Sequence, residues 1–196
     1  MISAIIVAFI TGVLGPVCVL LIRSHLAKKK NKVDHVKEAL QVGEQVTNKL
    51  EDIHEHTKAD RVWVTQFHNG GNFYPTGKSM TKFSVVYEIV GGSVQSIQSN
   101  FQNIPVNLFS KSINFLLEHH FIAIPDYKDE TIATHGLKYV AEDTGCKSGY
   151  LFAIKSIDDK FVGVLGLDFT KKKTNLPGDT IQQLLIDASA LGGVLN

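Results

Sequence analysis

The stretch Gln66-Phe67-His68-Asn69-Gly70-Gly71-Asn72-Phe73-Tyr74-Pro75-Thr76-Gly77-Lys78-Ser79 gathers an unusual number of residues able to do chemistry. Gly71, five intervening residues and then Gly77-Lys78-Ser79 make a loop one residue longer than the phosphate-binding loop allows. That loop also needs a helix directly after Lys-Ser, so that amide donors and the helix dipole meet phosphate, whereas Met80 onward reads as a strand. Val164-Leu165-Gly166-Leu167-Asp168 mimics a second nucleotide-hydrolase motif, but hydrophobic strands ending in Asp are common, and nucleotide hydrolysis is not expected. His68 ends a strand beside the flexible Asn69-Gly70-Gly71 turn. Strand alternation predicts that it shares a sheet face with Gln66, Ser84 and Glu88. These residues with Asn69 form the expected ligand-binding set: Gln66, His68, Asn69, Ser84 and Glu88, around a loop whose glycines allow close backbone approach. The competing expectation is a histidine that satisfies backbone groups within its own loop.

Other reactive side chains form no set. His54 and His56 are two positions apart on a predicted helix and diverge by roughly 200°, and His119-His120 are adjacent, so no metal site is expected. Cys146, His135 and Asp143 have the composition of a nucleophilic triad, but nothing in the sequence fixes their geometry. No catalytic residue and no cofactor is assigned, and a non-catalytic role is expected. Two cysteines, Cys18 and Cys146, are too few and too ill-placed for a disulfide framework, which points to reducing surroundings.

Charge is distributed unevenly. Five of the twenty basic residues, Arg23, Lys28, Lys29, Lys30 and Lys32, lie before Val33, where there is no acid, so the remainder carries fifteen bases against nineteen acids. Neither that balance nor the overall charge of +1 suits a nucleic-acid partner. Ile2 to Ile22 runs for 21 residues without a charge, and a helix of that length spans roughly 30 Å of hydrocarbon, with Gly15-Pro16 expected to kink it. No basic segment precedes the run and no small-residue cleavage site follows, which favours an anchor over a signal peptide. The basic flank predicts a single-pass membrane protein with its body in the cytoplasm. The expected organisation is a transmembrane anchor over 1–24, a basic flank and linking helix over 25–59, and a domain over 60–196.

The linking helix carries Val36, Ala39, Gly43, Val46, Leu50 and Ile53 at heptad spacing. Two readings stand: a parallel dimer contact centred on Val46 and Leu50, or packing on its own domain, for which Leu40 and Val42 widen the apolar stripe. Period-two patterning then predicts strands over Arg61–His68 and Lys82–Val90, a short strand over Val94–Gln98, and another over Phe121–Ile124. Helical spacing marks Val106–His119, Leu137–Glu142 ending near Gly145, and a last helix from Pro177 or Asp179 through Leu191. Gly149–Ser156 and Phe161–Phe169 form a hairpin across Asp158-Asp159-Lys160. Trp63, Phe67, Phe83, Val85 and Tyr87 are predicted on one sheet face, and Val62, Val64, Gln66, His68, Ser84, Val86 and Glu88 on the other. The fold class is α+β, with an antiparallel central sheet flanked by helices and preceded by a single transmembrane helix. The first and last helices would cover one face and a lid of middle helices and loops the other.

Ser148-Gly149-Tyr150-Leu151-Phe152-Ala153-Ile154, the Asp158-Asp159 hairpin and Phe161-Val162-Gly163-Val164-Leu165-Gly166-Leu167 resemble the paired central strands of the GAF domain, a sensory fold related to PAS domains. The resemblance covers about residues 35 to 196. It implies a small-molecule pocket between sheet and lid, and a homodimer through helix 33–59 and the C-terminal helix. The Asn-Lys…Phe…Asp-Glu arrangement of nucleotide-binding members is missing, and Cys146 precedes Lys147 where bilin-binding members place histidine, so both ligands are disfavoured. Methionine sulfoxide reductases of this fold need several cysteines in the pocket, and with one in the body that activity is nearly excluded. The expected function is a membrane-tethered, non-catalytic sensory or scaffold domain that binds a small molecule or a protein, with no output domain within the chain. The alternative from another class is a phage-type lysis protein, a holin or holin regulator, in which the anchor assembles.

Overall fold

The computed structural model describes residues 10–30, 34–129 and 136–195. The chain divides between Gln41 and Val42 into two compact units. In the first, a π-helical turn at Ile10–Leu14 runs directly into helix α1 (Gly15–Lys30). The π turn thus stands directly before Pro16, which has no N–H to donate to it, at the Gly15-Pro16 step where a kink was expected. Among the described residues no helix is both long and apolar enough to cross a membrane. Residues 2–9 of the apolar run lie outside the described residues.

Helix α2 (His35–Thr57) opens on Asp34, whose Oδ1 accepts the amides of Val36 (3.1 Å) and Lys37 (3.2 Å), the usual role of an N-cap carboxylate. In the second unit, six strands make one antiparallel sheet in the order β3-β2-β1-β6-β5-β4. They are β1 (Arg61–Asn72), β2 (Ser79–Val90), β3 (Ile104–Pro105), β4 (Phe121–Ile124), β5 (Ser148–Lys155) and β6 (Phe161–Phe169). A 3₁₀ turn, Val106–Phe109, leads into α3 (Ser110–His119), so the predicted helix over 106–119 divides in two. Helices α4 (Leu137–Thr144), closed by left-handed Gly145, and α5 (Gly178–Val194) complete the fold.

Both faces of the sheet are covered. On one, Val46, Leu50 and Ile53 of α2 and Leu184, Ala188 and Leu191 of α5 enclose Val62, Val64, Tyr150, Phe152, Leu165 and Leu167. At Gly192 a Cβ atom would lie 1.8 Å from the Lys155 carbonyl oxygen, so α5 approaches β5 as closely as it does only because that residue is glycine. Val46 and Leu50 are 0% exposed. The C-terminal half of the heptad seam therefore packs on its own sheet and is not available to a dimer contact. On the opposite face α3 and α4 form the expected lid, Leu116 packing on Leu151, Ala153 and Val164, and Ala141 on Ile124, Tyr127 and Cys146.

Two further expectations are corrected. Trp63 pairs with Glu88 and Val64 with Tyr87, but beyond that point Thr65 pairs with Val85, leaving Val86 as an extra residue in β2. This bulge reverses the alternation, so Tyr87 lies with Val64 on the α2/α5 face and Glu88 with Trp63 on the lid face. Residues 94–98 form no strand. The carboxylate of Glu88 takes the amides of Ile97 (2.9 Å) and Gln98 (3.2 Å), which supplies by side chain what a ladder partner would otherwise supply.

Candidate functional site

Between the sheet and the lid lies a cavity of about 80 Å³. Its floor is the row of β1 side chains Trp63, Thr65 and Phe67, flanked by Phe83 and Val85 of β2, Val164 and Asp168 of β6 and Leu151 of β5. Its roof comes from Ile113 and Leu116 of α3, Leu137, Val140 and Ala141 of α4, and Ile97 and Phe101 from the segment between β2 and β3. Trp63 stands directly opposite Gly166 in the β1–β6 register. A Cβ at Gly166 would fall 2.1 Å from the indole ring, so glycine there lets the indole lie flat across β6. From that position its Nε1 donates to Asp168 Oδ2 at 3.1 Å.

Asp168 is the electrostatic centre of the wall. Arg61, directly across from it in the ladder and 1% exposed, donates Nε to the same Oδ2 at 3.0 Å. Its other nitrogens are spent on carbonyls: Nη1 on Gln95 (3.1 Å) and Thr144 (3.3 Å), Nη2 on Thr144 (3.4 Å). One buried guanidinium thus ties together β6, the end of α4 and the segment that roofs the cavity. Burial pushes the Asp168 carboxyl up, against the opposing pull of the Arg61 guanidinium, the Trp63 indole and the Cys146 thiol. Burial also raises the Tyr127 hydroxyl well above its ordinary value, with Cys146 and Asp168 beside it adding to the effect. The Cys146 thiol is pushed up by burial first and then by Asp168, and it donates to the Ser148 carbonyl at 3.0 Å. A protonated, engaged thiol is not a nucleophile at neutral pH. His135, the second member of the possible triad, lies outside the described residues.

None of Gln66, His68, Asn69, Ser84 and Glu88 lines this cavity. Gln66 pairs with Ser84 across β1 and β2, and His68 Nε2 lies 3.0 Å from Ser84 Oγ, so the structure brings these three together on the face away from the lid. Asn69 Oδ1 accepts from the Gly71 amide (3.0 Å) and the Ser79 hydroxyl (3.2 Å) and shapes the β1–β2 hairpin. Glu88 holds Ser96, Ile97 and Gln98, and Ser84 Oγ accepts the Asn103 amide at 2.9 Å. Two of the five thus grip the two ends of the segment that carries Ile97 and Phe101 into the roof. Sequence reasoning missed Arg61, Tyr127 and the role of Asp168. The second apolar face, Trp63, Phe67, Phe83 and Val85, points to a covered sheet and a pocket but not to these polar residues.

A sheet in this order, with terminal helices on one face and a lidded cavity on the other, defines a GAF-like α+β domain. Solved structures similar to this chain include a far-red cyanobacteriochrome photoreceptor, at 16% identity over 90% of this chain and 96% of that one with a TM-score of 0.63. The blue-light absorbing form of the Thermosynechococcus elongatus PixJ GAF domain matches at 17% identity over 83% and 89% of the two chains, TM-score 0.64. The phycocyanobilin-bound GAF domain of a cyanobacterial phytochrome matches at 15% over 88% and 90%, TM-score 0.62. At these identities the likeness establishes the fold. No protein-family model and no curated protein matches the sequence.

Proposed function

We propose that this chain is a membrane-tethered, non-catalytic sensory domain whose ligand sits in the cavity between the sheet and α3 and α4. The observation that carries the reading is the enclosed apolar space with a polar end at Asp168 and Tyr127, on a fold whose phytochrome neighbour is described as phycocyanobilin-bound. At about 80 Å³ the space suits a ligand of roughly five to eight non-hydrogen atoms, taking about 10–15 Å³ per water-sized position. A tetrapyrrole is several times larger, in keeping with the absence of a Cys-His pair at Cys146. Gln66, His68, Asn69, Ser84 and Glu88 act in this reading through the framework: Ser84 and Glu88 anchor the roof segment, and His68 orients Ser84.

The apolar run Ile2 to Ile22 and the basic cluster after it support a tether with the body facing the cytoplasm. Ile186, 61% exposed on α5, is an apolar group that a second copy would cover. The tether is tested by carbonate washing of membranes containing the full chain, followed by protease added to sealed spheroplasts. The chain is expected to stay in the pellet with its body protected. Recovery in the supernatant would overturn the tether, and digestion from outside would reverse the orientation. Native mass spectrometry of the gently purified chain tests the ligand site, a bound small molecule being the expected result.

A further inference from the structure

The polar end of the cavity determines which chemistry it accepts, and the argument here rests on the cavity being the ligand site. Arg61 has each guanidinium nitrogen engaged within the protein and is not part of the wall, so among the described residues no cation faces the space to receive a phosphate or carboxylate. A cationic ligand fares no better. The charge of Asp168 is already matched by Arg61 at 3.0 Å, and an added ammonium would be buried without a counter-charge. The described part of the wall therefore suits a neutral ligand.

Two groups remain open to it. Both N–H donors that reach Asp168 go to Oδ2, and the other group beside the carboxylate, the Cys146 thiol, is a weak donor already directed at the Ser148 carbonyl. Tyr127 is 7% exposed and lines the same wall, and its hydroxyl makes no hydrogen bond among the described residues. Buried polar groups are otherwise almost always partnered. Water is a poor answer, because the hydroxyls of Thr65 and Thr144 in the wall are given to the Val164 and Val140 carbonyls and most of the remaining wall is aromatic or aliphatic, a lining that holds water weakly. The open pair is complementary: a carboxylate oxygen that accepts, and a phenol held protonated by burial that can donate. A single ligand hydroxyl can answer both, its hydrogen to one and its oxygen to the other.

We propose that the cavity binds a small neutral phenolic compound, whose hydroxyl donates to Asp168 Oδ1 and accepts from the Tyr127 hydroxyl while its ring packs among Trp63, Phe67 and Phe83. Trp63 is the sole tryptophan of the chain and forms part of the wall, so its emission reports occupancy directly. The test titrates the full chain with phenol, toluene, benzoate and benzylamine, followed by calorimetry and by Trp63 emission excited at about 295 nm, where tryptophan absorbs selectively among aromatic side chains. Phenol is expected to bind about tenfold or more tighter than toluene, equivalent to about 1.4 kcal/mol, and the two charged probes to give no saturable response. Tyr127→Phe removes a hydroxyl that has no partner in the protein, so it should fold normally and bind toluene as before, yet lose about tenfold in phenol affinity. Equal binding of phenol and toluene, or unchanged phenol affinity in Tyr127→Phe, would overturn the phenolic assignment and leave the cavity as a site for apolar ligands. Failure of every aromatic probe to bind would remove both this inference and the ligand-binding reading beneath it.

Discussion

Arg61→Met is the substitution on which the electrostatic account of the site depends most. Methionine fills much of the arginine's volume but removes the guanidinium that donates to Asp168 Oδ2 at 3.0 Å and to the Gln95 and Thr144 carbonyls at 3.1 to 3.4 Å. Asp168 then keeps only the Trp63 indole at 3.1 Å and the neighbouring thiol, inside a wall it shares with apolar side chains. Breaking a buried pair by deleting one partner costs about 3–5 kcal/mol, because the surviving charge has lost both water and its counter-ion. The deficit should depend on pH in a defined direction. Burial already holds the Asp168 carboxyl above its unfolded value, and losing the arginine, its largest opposing influence, raises it further. A carboxyl whose folded value lies above its unfolded one takes up a proton on folding, so the penalty is absent below about pH 4, the unfolded value, and grows as pH rises toward the folded one. Each pH unit in that window adds up to about 1.4 kcal/mol. Urea denaturation of wild type and variant at pH 5 and pH 8 measures this, and the variant should lose more ground at pH 8. Adding Asp168→Leu should restore most of the loss, as apolar replacements of buried ion pairs often do. A single-variant cost below about 1 kcal/mol, or a deficit identical at the two pH values, would refute the reasoning.

Gly166→Ala should destabilise the domain by about 1–3 kcal/mol, since the added methyl lies 2.1 Å from an indole ring that must tilt or shift. Trp63 emission should move with it, and a chain with unchanged urea midpoint and spectrum would show that the ring does not lie over β6. Leu50→Ala, at a position with no exposure, should cost about 2–5 kcal/mol without changing the sedimentation coefficient of the folded chain. A change in oligomeric state at unchanged stability would return Leu50 to a dimer contact.

The elements were legible where one physical signal controlled them. The strands from Gly149 and Phe161 and the two flanking helices follow from period and turn chemistry, and each lies within a few residues of its expected bounds. The site was less legible, and the reason can be traced to one residue. Face assignment in β2 depends on unbroken alternation, and the extra Val86 inverts everything on its C-terminal side, so Tyr87 and Glu88 exchanged faces. With Glu88 misplaced, a carboxylate that fixes the roof segment was grouped with His68 as a direct ligand contact. Arg61 and Asp168 were hidden for a different reason. They are 107 residues apart and become neighbours only because β1 and β6 pair at the sheet centre, a long-range register that no local periodicity encodes. The heptad seam shows the same limit from the other direction. Val46 and Leu50 satisfy the spacing of a coiled coil and of an amphipathic helix on a sheet equally well, and it is the apolar face offered by Val62, Val64, Leu165 and Leu167 that decides between them. The same spacing therefore carries no information about a partner at Val46 and Leu50, whose 0% exposure is accounted for by their own sheet.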